Sequence, residues 1–203
     1  MGKVKIKKKD VWIDMTPMSD VMTLLLTFFM LTSTFVKNEP VKVVTPGSVS
    51  EIKVPEKNVL NILVDKTGQV FMNIDNQQQM LDMLDGMTGQ FGVALTKEQL
   101  KKFQKDPMWG VPMDKLSAYL NLDETKMSEA IKSEGIPTDS IDKKMSEFQM
   151  WVKQARDINP DIKIAIKADQ NTPYSVIKRI MSELQDMAEN RYDLITQYKK
   201  VED

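Results

Sequence analysis

Three hydrophobic patterns follow one another along the chain. From Val21 to Val36 no position carries a charge, and Leu, Phe, Met and Val fill most of them. A helix from Thr16 to Val36 would be about 30 Å long, the thickness of a bilayer core. Its polar positions are aligned: at roughly 100° per residue Thr16, Asp20, Thr23, Thr27 and Thr34 share one arc. Met22, Leu25, Phe29 and Ser33 lie on the other side. A threonine alone can back-bond to its own helix, but its alignment with an acid points to a hydrated helix–helix interface. An ionised Asp at membrane depth costs about 2.5–3.5 kcal/mol on insertion scales, so Asp20 reads as a working residue of the helix.

The second pattern is extended. Residues 37–58 hold Pro40, Pro46 and Pro55, which exclude a helix, and the stretch from Val41 to Val44 reads as a short extended segment. Such a linker would reach about 60–70 Å pulled straight. Apolar linkers of this kind can add to a sheet edge. Val59–Val64 and Gln69–Asn73 then flank Asp65-Lys66-Thr67-Gly68 and predict a β-hairpin.

The third pattern is helical. Met80, Leu81 and Leu84 predict a helix up to Gly86. Thr96 with Gln99 forms a capping-box signature for a helix to Asp106, and Met113–Leu120 predicts another. Asp123 is the expected cap of a helix over Glu124–Glu134, stopped at Gly135. Thr138 or Ser140 is expected to open a longer helix with Ile141, Met145, Phe148, Trp151, Val152 and Ala155 on one side. Ile162–Lys167 alternates as a strand, Thr172 is the expected cap of an amphipathic helix over Tyr174–Glu189, and Tyr192–Tyr198 closes as a strand. The fold class is therefore α+β. A basic tail occupies 1–13, a transmembrane helix 14–36 and an extended linker 37–58. A periplasmic domain covers 59–203, a small sheet with helices packed on it.

Charge adds orientation. The net charge of −1 gives no basic field for nucleic acid. Five lysines (Lys3, Lys5, Lys7, Lys8, Lys9) precede the apolar run, which places the N-terminus in the cytoplasm and the rest across the membrane. A cleaved signal peptide fits less well, because Asp10, Asp14 and Asp20 precede the core and no A-x-A site follows. With no His and no Cys, zinc sites and the common nucleophile–base pairs lack their residues. No metal or cofactor is expected, and no enzymatic activity. Asp65, Asp75 and Asp169 are dispersed turn or loop acids. The sixteen methionines, at helical spacings, read as core filler.

The motifs together resemble the ExbD/TolR family, subunits of proton-driven inner-membrane motors. Asp14-Met15-Thr16-Pro17-Met18-Ser19-Asp20-Val21 is similar to that family's N-V-T-P-φ-φ-D-V signature, with Asp20 on its essential acid. Val41-Lys42-Val43-Val44-Thr45-Pro46 resembles the linker strand V-K-V-D-L-P of the family's ExbD members. Pro55-Glu56-Lys57 ahead of the hairpin resembles the start of its periplasmic domain, and Ala168-Asp169 through Thr172-Pro173-Tyr174 its A-D-K-x-V-P-Y loop. The departures are Asp14 for the usual Asn, Ser19 for an apolar residue, Val44-Thr45 for Asp-Leu, and a helical insertion over about 75–156 with no counterpart in the family.

The resemblance implies a homodimer whose spans sit inside a pentameric ExbB/TolQ-like ring. Asp20 would carry protons, Thr16, Thr23, Thr27 and Asp14 would line the ion pathway, and Val41–Pro46 would be a docking strand. It implies service to a TonB-like energy transducer; a TolR-like role in envelope integrity is the alternative within the family. Outside the family, the alternative is a signal-anchored periplasmic scaffold that binds a peptide by strand addition.

Overall fold

The computed structural model describes residues 16–33, 40–48, 58–139, 145–195 and 197–198. The chain divides into two units, 1–37 and 38–203. In the first, helix α1 covers Thr16–Thr32 and buries none of its side chains. At 17 residues it is about 25 Å long. Among the described residues no helix is long and apolar enough to cross a membrane. Asp14 and Thr34–Val36, the ends of the expected span, lie outside the described residues, as do the basic tail and 49–57 of the linker.

The second unit begins with the extended stretch 40–46, which runs into the two-residue strand β1, Gly47–Ser48. The hairpin follows as β2, Val59–Val64, and β3, Val70–Ile74, antiparallel from Leu60 opposite Ile74 to Val64 opposite Val70. Its turn closes with the Gly68 amide on the Asp65 carbonyl at 2.8 Å. Gly68 has φ +86°, a conformation open to glycine at little cost.

Among the described residues five α-helices separate the hairpin from the next strand: α2, Gln77–Phe91; α3, Lys97–Lys105; α4, Met113–Leu120; α5, Glu124–Ala130; and α6, Glu147–Ile158. Strand β4, Lys163–Ala168, then pairs parallel with β2, and helix α7, Tyr174–Asp186, leads to β5, Tyr192–Leu194, parallel to β4. The sheet order is β3-β2-β4-β5, an α+β architecture with a small mixed sheet. Strand β6, Gln197–Tyr198, pairs parallel with β1 in a separate two-stranded sheet. The closing strand expected over Tyr192–Tyr198 is thus divided between two sheets. Central strand β2 is buried at five of its six positions, which explains its nearly unbroken apolar run.

Helices α2, α4 and α6 pack Met80, Met83, Leu84, Met87, Met113 and Trp151 into one core with the sheet. Trp109 lies 5.4 Å from Trp151 and 6.0 Å from Phe103 by ring centroid. The loop carrying Trp109 also exchanges backbone bonds with β3, Met72 amide to Trp109 carbonyl at 2.8 Å and the reverse at 2.9 Å. Next to it Gly110 is pressed on the Phe71 ring, 2.1 Å from where a Cβ would stand. The Ile136 amide reaches the Val70 carbonyl on the same strand at 2.9 Å.

Several helix ends differ from expectation. Helix α2 passes through Gly86 and stops at Gly92, which takes φ +66° as a left-handed cap. Gly86 is instead a packing glycine, its missing Cβ leaving room for the Gln154 side chain. Asp123 stands at the start of α5 but makes no side-chain cap bond, and α5 decays into a 3-10 turn at Ile131–Ser133. Helix α6 starts at Glu147, with Ser146 and Gln149 forming the capping box. Met145 therefore precedes the helix and stands exposed, while Ile141 lies outside the described residues. Pro173 occupies the N-cap position of α7; the Thr172 hydroxyl donates to the Asp65 carbonyl at 3.1 Å instead.

Candidate functional site

Asp20 sits in the second turn of α1, exposed, with no hydrogen bond or ion pair to its carboxylate among the described residues. The threonines near it have local donors' work. The Thr23 hydroxyl donates to the Ser19 carbonyl at 2.8 Å, and that of Thr27 to the Thr23 and Leu24 carbonyls, both at 3.0 Å. Each hydroxyl spends its single proton on its own helix and keeps acceptor lone pairs outward. Thr16 opens the helix and is exposed, and Asp14 lies outside the described residues.

The stretch Val41–Pro46 is fastened to the α+β unit. Val41 and Thr45 are buried and Val43 is half-buried against the core, whereas Lys42, Val44 and Pro46 are exposed. The side chains thus alternate, and the backbone between them needs partners. Asp169 supplies them: its carboxylate accepts the Val44 amide at 3.0 Å, while the Gln170 amide donates to the Val44 carbonyl at 2.9 Å. The same carboxylate accepts the Asn171 amide at 2.9 Å and the Asn171 side-chain amide at 3.2 Å. The Asp169 amide in turn donates to the Val64 carbonyl at 3.0 Å, tying the loop to the end of β2.

Asp169 is buried, and the Asn171 amide, then the Val44 amide, hold its carboxyl below the usual carboxylate range. Turn chemistry explains only its bonds to Asn171. Its grip on Val44, 125 residues away, is invisible to a local reading. The signal that could have found it is the linker itself, whose half-buried extended backbone needs a partner.

Across the described residues no group of three or more acidic, His or Cys side chains is placed to hold a metal ion. What remains is a chain in two parts. One is an apolar helix bearing a single carboxylate, the other an α+β unit with an extended strap clamped at the end of its central strands.

A family comparison accounts for both parts together. The family described as Biopolymer transport protein ExbD/TolR matches residues 7–199, and the chain belongs to it. Members of that family are anchored in the inner membrane and work with ExbB/TolQ-type partners. No curated protein and no solved structure matches the chain.

Proposed function

We propose that this chain is the single-span subunit of a proton-motive-force-driven inner-membrane motor of the ExbB–ExbD type, energising TonB-like transport across the outer membrane. The observation that carries the reading is Asp20, a lone carboxylate on an apolar helix that buries none of its side chains within its own unit. The membrane-spanning segment of that subunit is 14–36, with the N-terminus in the cytoplasm. A homodimer places two such helices in a pentameric ExbB/TolQ-like ring, where the outward lone pairs of Thr23 and Thr27 accept from water, Thr16 continues the pathway and Asp14 belongs to the cytoplasmic mouth.

Asp20 takes a proton from the periplasmic side and releases it towards the cytoplasm, each charge yielding about 2.3 kcal/mol per 100 mV. Two ionised carboxylates in one pore repel, so the pair favours alternate protonation. Neutralisation changes the desolvation cost of the helix in the ring and lets it turn. The α+β domain is the output, and it does no covalent chemistry of its own. The likeness of Val41–Pro46 to the linker strand of the ExbD members favours Ton-type over Tol-type service.

Asp20→Asn tests this directly. It should leave co-purification with the ring subunit intact and reduce proton-driven transport to background, while Asp20→Glu retains a fraction. Normal transport in Asp20→Asn would overturn the motor reading and leave an anchored scaffold.

A further inference from the structure

We draw no further inference here: the strongest candidate, the cleft of about 550 Å³ between the ends of α3 and α4 and helix α5, with Lys102, Tyr119 and Glu124 on its walls, carries none because Pro40 forms one rim, residues 34–39 ahead of it lie outside the described residues, and nothing in the structure shows what covers it.

Discussion

Helices α1 and α6 are both rich in large apolar side chains, and they answer for them in opposite ways. Helix α6 turns Phe148, Trp151, Val152 and Ala155 into the core and leaves Lys153 and Asp157 outside. Its apolar residues form one stripe at the helical period, and the rest of the unit covers that stripe. Helix α1 is apolar nearly all round and every one of its residues is exposed. The lesson is about where the covering surface comes from. The rest of its own unit supplies it for α6; for α1, in the proposed reading, lipid and ring subunits do.

The contrast breaks most visibly by truncating one aromatic from each helix. Trp151→Ala should cost about 3–5 kcal/mol of domain stability, because the indole is buried against Trp109. Phe29→Ala should leave the same transition within about 0.5 kcal/mol. Denaturant unfolding followed by near-ultraviolet circular dichroism reads both. Equal losses would mean that the two units are not separate.

A smaller effect sharpens the picture of the insertion as part of the core. Gly110→Ala should cost about 1–3 kcal/mol, since its Cβ would stand 2.1 Å from the buried Phe71 ring. Gly86→Ala should cost less in the same assay, because the atoms it meets are the swinging end of Gln154.

The smallest effect concerns the strap. Asp169→Asn should speed hydrogen exchange at the Val44 amide by roughly three- to tenfold while the global transition barely moves. The wild type should show the same loosening with acid. The carboxyl is held low in the folded state, so its contribution is complete above the ordinary Asp value and is lost as pH falls through the lowered one. Val44 exchange that ignores both substitution and acid, after correction for intrinsic rates, would remove Asp169 from the clamp.

What could be read in the sequence follows the range of the interactions. The hairpin was legible because Val59–Val64 and Val70–Ile74 face each other across a Gly68 turn. The Thr96–Gln99 box was legible for the same local reason. The start of α6 was misplaced although Ser146 and Gln149 carry the same signature, because Thr138 and Ser140 offered earlier caps ahead of an apolar run. Gly86 reads as a stop in a window of neighbours and as a contact only once α6 lies across it. Asp169 reached a partner 125 residues away, and Trp109 pairs with Met72 across a span of helices, so no local pattern exposes either. Of the candidate site, the acid on the apolar run was legible in Asp20 itself; the grip on Val44 was not.

The pairing of Trp109 with Met72 has one further consequence. A four-stranded sheet has two margins, and an unguarded margin offers amides and carbonyls to any unfolded chain that drifts past. Here β3 has its Met72 groups taken by Trp109 and its Val70 carbonyl by Ile136, while β5 on the far side is only three residues long. The insertion thus shields a fold of short strands from recruiting stray chains into aggregates, protection that matters wherever many copies are crowded together.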